Sequence, residues 1–147
     1  MSMDHSALVS LINKKIALLE RLVPEFAAVE ADRSVANGNV AVCILDPQGN
    51  IYGRLFGENK IRQRESFRIA WIKASQVWIT GMKTAKYEEM VFTGQVNERT
   101  YGISRPDFIG WEGGQPVTME DGTILSIGFS GFRGTTDLAI VSKAFER

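Results

Sequence analysis

The sequence predicts one domain of the α/β (α+β) class, built as a three-layer α/β/α sandwich around antiparallel strands. Three observations predict it. Segments with a three-and-four apolar rhythm alternate with short, continuously apolar runs in the order helix, hairpin, long helix, loop, hairpin, helix. Turn-sized spacers join the apolar runs in pairs, which makes them antiparallel hairpins. Runs apolar on both faces need helices above and below the sheet. A chain of 147 residues that is 44% hydrophobic can fill such a core without disulfides.

The first helix is marked by Leu8, Leu11, Ile12, Ile16, Leu19, Leu22 and Val23, which share one face. Asp4 or Ser6 can cap it, and Pro24 kinks it or lies near its end. A second helical stretch runs to about Arg33 and breaks at Asn37-Gly38. Val40 to Leu45 is a buried strand, Asp46-Pro-Gln-Gly-Asn50 a turn, and Ile51 to Phe56 its returning partner. Phe67, Ala70, Trp71, Ala74, Val77, Trp78, Gly81 and Met82 then form a helical stripe, widened by Ile69, Ile72 and Ile79, which predicts a long, largely buried helix. Lys83 to Glu98 reads as a short helix followed by a loop or a short extended piece. Tyr101 to Gly114, with Pro106 and the rings of Tyr101, Phe108 and Trp111, reads as an ordered loop whose aromatics plug the fold, wall a pocket or meet another subunit. Pro116 to Met119 and Thr123 to Ser130 flank a turn at Glu120-Asp121-Gly122, and a final helix opens after Gly131 to Gly134 with Thr135 or Thr136 as its cap.

Composition removes several functions. Seventeen basic and seventeen acidic residues give no net charge, and nucleic-acid binding has no basic surplus to draw on. One cysteine and one histidine cannot form a Cys/His zinc site, so no metal site is expected. No run approaches the ~20 apolar residues of a membrane span, and the amino-terminal residues lack the polarity of a secretory signal. A cytoplasmic, reduced protein with no membrane or nucleic-acid partner is the expectation, with Cys43 as a small buried hydrophobe.

Four motifs in order carry a family resemblance. Asp46-Pro-Gln-Gly-Asn50 with Arg54 and Gly57 resembles D-x-x-G-x followed by R-x-D-G-A, and Ala70-Trp-Ile-Lys73-Ala74 resembles A-x-x-K-A. Gly113-Gly-Gln-Pro116 is similar to G-G-x-P, and Asp121-Gly122 with Gly128-Phe-Ser-Gly131 and Asp137 to D-G…G-V-S-G…D. The chain thereby resembles the GlcG/HbpS-type haem-binding-like proteins, a module also found as the C-terminal domain of PduO-type corrinoid adenosyltransferases. The resemblance spans nearly the whole chain. It implies a profilin-like sandwich with a mostly antiparallel five-stranded sheet, assembly into homo-oligomers, and in some members haem or corrinoid-related binding. Phe56, Glu58 and Leu125 depart from the pattern, where Asp, Ala and Gly are usual, which points to a remodelled pocket.

Two functional readings follow. In the first, the protein binds a small anionic or aromatic ligand through Arg54, Arg64, Lys73, Arg105, Trp111 and the Gly113-Gly114 loop. Lys73 lies on the long buried helix, one position before Ala74 of the stripe and at the K-A position of the resemblance, where an ammonium can pair with an acid, hold a carboxylate or form an imine. Were the ligand haem, iron donors would come from His5, Cys43, Met82, Met90 or Tyr101, and the sequence assigns none of them. In the second, the protein is a cofactor-free isomerase, lyase or imine hydrolase with Lys73 and Glu58 as catalytic groups. A ligand-free assembly module, with its tryptophans in core and subunit contacts, is a third. Both functional readings expect Lys73 and Arg54 to converge on one hollow.

Overall fold

The structure is a computed structural model and describes residues 4–103 and 110–146. Its elements are α1 (His5–Ala27), α2 (Glu30–Ala36), β1 (Ala41–Leu45), β2 (Ile51–Leu55), α3 (Lys60–Thr80), α4 (Thr84–Phe92), a 3-10 turn (Glu98–Tyr101), β3 (Gly114–Thr118), β4 (Ile124–Ser130) and α5 (Gly134–Phe145). The strands form one open antiparallel sheet in the order β2-β1-β4-β3. Four strands are present among the described residues, not the five expected. The fifth had only the resemblance behind it; every apolar run of strand length in the sequence is accounted for by these four.

Local chemistry explains most boundaries. The Asp4 carboxylate accepts the Ala7 N–H at 2.7 Å, so Asp4 and not Ser6 caps α1. Pro24 lies inside α1, which runs one turn further to Ala27. The buried Asp46 carboxylate accepts the backbone N–H groups of Gln48 and Asn50, the Asn50 amide and the Tyr52 hydroxyl, which locks the β1–β2 turn. α3 begins at Lys60, seven residues before the predicted stripe, because the Asn59 side chain accepts from Ile61 and Arg62 N–H. Gly81 ends it with φ +74°, a left-handed conformation that suits glycine.

The two faces of the sheet differ in side-chain size. Val40, Val42 and Ile44 with Leu125, Ile127 and Phe129 meet the apolar stripes of α1 and α5. The opposite face carries Ala41, Cys43 and Leu45, which pack on Ala70 and Ala74 of α3. Gly53, Cys43, Gly128 and Gly114 are paired side by side across the four strands. This row of small residues forms a trough in which α3 lies close to the backbone. A Cβ at Gly128 would collide with the Ala70 carbonyl and sit 2.7 Å from the Ala74 nitrogen. α3 is therefore buried on one side only: Trp71 and Trp78 are 39% and 45% exposed, contrary to the stripe read from the sequence.

The start of α5 also differs from expectation. Arg133 is the N-cap residue, and no side chain caps it locally. Asp32 of α2 does that work from a distance, accepting from Arg133 N–H, Nε and Nη2 and from the Thr136 hydroxyl. Burial pushes the Asp32 carboxyl up, but these hydrogen bonds, Arg133 foremost, outweigh it and hold the group below its ordinary 3.8. A depressed native value means stability present above pH 3.8 and lost as pH falls through the native value. Asp32→Asn is expected to remove part of the acid sensitivity of unfolding below about pH 4, at a cost in stability near neutrality. Urea melts of both proteins across the acid range check this, and parallel pH profiles would contradict it.

Candidate functional site

Lys73 lies in the fourth turn of α3, facing the trough, so its chain runs along the sheet towards the start of α5. Its side chain is only 2% exposed. Nζ donates to the Phe129 carbonyl at 2.8 Å and to Asp137 Oδ2 at 3.2 Å. Asp137 Oδ1 accepts the Phe132 N–H at 3.0 Å, which fixes the carboxyl below the β4–α5 loop. Both groups lose water, and burial dominates both: it holds the Lys73 ammonium below its usual range and raises Asp137 to about 7, against the opposing pull of their ion pair.

A cleft of about 550 Å³ opens above this pair, walled by Trp111, Glu112, Ser130, Phe132, Arg133 and the first residues of α5. Trp111 is 63% exposed and stands on the rim. Its backbone is tied down where the Thr84 hydroxyl donates to its carbonyl at 2.6 Å. Gly113 has φ +121° and passes so close to Lys73 that a Cβ there would come within 2.6 Å of Nζ. Gly114, at the start of β3, approaches Thr84 and Val77. The glycine pair thus lets the backbone close over the lysine.

The other predicted residues are elsewhere. Arg54 pairs with Val42, and its guanidinium bonds Glu20 of α1 at 2.8 Å, on the α1 side of the sheet. Glu58 shares with Arg54 a second cleft of about 920 Å³, lined also by Val23, Pro24, Ala27 and Phe56. Arg64 is exposed and lines a shallow apolar hollow with Phe67 and Leu55. Arg105 and Phe108 lie outside the described residues. The expected convergence of Arg54 with Lys73 does not occur: alternate residues of a strand point to opposite faces, and position 54 falls on the face away from α3. Lys73 and Glu58 likewise line separate clefts and cannot act on one small ligand.

The sequence reading gave no role to Arg133 or Asp32. A sequence signal existed for Arg133 alone, a cation at the opening of a helix between Gly131 and Gly134; its acid partner is 101 residues away. Haem donors fare poorly too. His5 is exposed at the first residue of α1, Cys43 is core with its thiol pushed up to about 12 by burial, and Tyr101 packs edge-on against Tyr87. Among the described residues, neither of these two clefts is walled by histidine, cysteine, methionine or tyrosine, so neither offers an axial donor to haem iron.

No curated protein matches the chain in sequence. Among solved structures it is similar to the Klebsiella pneumoniae protein ORFY, with TM-score 0.67 and 20% identity over 92% of this chain and 85% of that one. It is similar to a PduOC–haem complex, with TM-score 0.60 and 21% identity over 88% of each chain. It is also similar to HbpS, with TM-score 0.55 and 17% identity over 90% of this chain and 88% of that one. At such identities the likeness is one of fold. The family model for haem-degrading proteins of the HbpS-like type matches residues 24–146, which takes in the trough, Lys73, Asp137 and the glycine loop, and by that match the chain belongs to the HbpS-like family.

Proposed function

We propose that this chain is a small-molecule-binding protein whose ligand, anionic or aromatic, enters the cleft above Lys73 and Asp137. One observation carries the reading: a buried ammonium–carboxylate pair at the base of an open cleft. An ammonium has three donors, and among the described residues the Phe129 carbonyl and Asp137 occupy two, which leaves one for a ligand. Trp111 offers a stacking face and Arg133 a half-exposed guanidinium. Lys73, Trp111, Gly113 and Gly114 remain as ligand contacts; Arg54, Arg64 and Glu58 belong to other surfaces.

In this reading the protein works in the cytoplasm as a homo-oligomer on a profilin-like scaffold. The half-exposed Trp71 and Trp78 of α3 and the β2 edge supply apolar surface for subunit contacts. Haem, bound in the PduOC complex, is both anionic and aromatic, and is the natural first ligand to try. Titration with haemin is expected to quench Trp111 fluorescence without the narrow, shifted Soret band of a side-chain-ligated iron. A narrow band would place the iron at a donor outside this cleft and overturn the assignment. No response in either signal would remove haem from the ligand class.

A further inference from the structure

We propose that Lys73 captures its ligand covalently, as an imine with a small oxo acid, while Asp137 moves the protons of that step. This rests on the binding reading above and adds to it the ligand class and a chemical step. Lys73 alone of the seven lysines is buried. An ammonium has no lone pair to donate, and a lysine becomes a nucleophile when its surroundings favour the neutral amine. Here Nζ lies 3.2 Å from Asp137 Oδ2 in a site that strips water from both. Passing one proton along that hydrogen bond gives a neutral amine beside a carboxylic acid, the pair that addition to a carbonyl requires.

The step balances without an oxidant or reductant. The Nζ lone pair forms a C–N bond to the carbonyl carbon, and the oxygen takes the proton of Asp137. Asp137 then removes one proton from the nitrogen and returns it to the hydroxyl as the C–O bond breaks and water leaves. What remains is an iminium paired with the Asp137 carboxylate, so the site ends with the same two charges it holds at rest.

Arg133 is what selects an oxo acid over a simple aldehyde. Asp32 occupies its Nε and Nη2, and among the described residues Nη1 has no acceptor. Its side chain is 51% exposed on the wall of the same cleft, suited to a carboxylate. Gly113 completes the arrangement, since any side chain there would press on Nζ.

The test uses the full chain, pyruvate and cyanoborohydride, with the reduced adduct mapped by peptide mass spectrometry. At about pH 7 the Lys73 peptide is expected to label several-fold faster than any surface lysine. That advantage should shrink towards about pH 9 as exposed lysines gain free amine. Lys73→Arg should abolish the label and Asp137→Asn slow it; the wild-type pH profile decides even where those variants fold poorly. Pyruvate quenching of fluorescence, measured against Trp111→Phe, reads binding separately. Quenching without a Lys73 adduct overturns the imine and leaves the binding site standing. Neither quenching nor adduct sinks both, and labelling spread evenly over the surface lysines overturns the imine.

Discussion

Lys73→Met is expected to cost about 3–5 kcal/mol of folding stability, the usual penalty for removing one partner of a buried ion pair. For a domain of this size that is a fall in Tm of roughly 6–20 °C. The loss comes less from the missing 3.2 Å contact than from what is left behind: a carboxyl with 2% exposure and no cation, and a Phe129 carbonyl without its donor. The double variant Lys73→Met/Asp137→Leu removes both charges and is expected to recover most of the deficit, since apolar replacements of buried pairs are often neutral or better. The single variant should also gain a pH dependence. Asp137 already titrates near 7 in the native state, well above 3.8, so its favourable protonated form is lost as pH rises through that range. Without the ammonium the deficit of Lys73→Met should therefore widen from about pH 4 upward. Denaturant melts of the two variants over that range decide the matter; a single variant within 1 kcal/mol of wild type, by the same ~1 kcal/mol scale that separates surface from core effects, would contradict it.

Gly128→Ala should be the other severe change, costing about 3 kcal/mol, the upper part of the range for overpacked cores. The added methyl meets backbone on both sides, the Ala70 carbonyl and the Ala74 nitrogen, as well as Lys73 Cβ at 2.9 Å. Backbone of a packed helix cannot rotate away, so α3 must lift from the trough and carry Lys73 with it. Gly114→Ala provides the contrast: its nearest neighbours are side-chain methyls of Thr84 at 2.5 Å and Val77 at 3.1 Å, and the closest backbone atom, the Lys73 carbonyl oxygen, stands off at 3.2 Å. A much smaller loss is expected there. Equal losses at the two positions, measured by thermal unfolding, would show that close approach of α3 is not what position 128 serves.

Much of this molecule is legible in its sequence. The 3.6-residue rhythm gave α1 and its buried face, the Asp-Pro-Gln-Gly-Asn turn gave the first hairpin, and the motif order gave the family. Lys73 could be singled out because it stands beside Ala74 of the stripe on a buried helix and at the K-A position of the family pattern. The stripe misled at Trp71 and Trp78, because sequence rhythm shows which residues share a helix face and not how wide a face the sheet covers. The trough of small residues explains the discrepancy: α3 sits so deep on Gly128 and Gly114 that Ala70, Lys73, Ala74 and Val77 fill the contact and the tryptophans are left at its margin.

Sequence alone determined the elements, their order, the hairpin pairing and the lysine of interest, since each depends on residues a few positions apart. Tertiary structure decided which charges meet. Asp137 reaches Lys73 across 64 positions and Asp32 reaches Arg133 across 101, while Arg54, expected beside Lys73, is turned to the other face by strand pleat. Such pairings follow from strand register and from how closely a helix approaches the sheet, quantities that local periodicity does not contain.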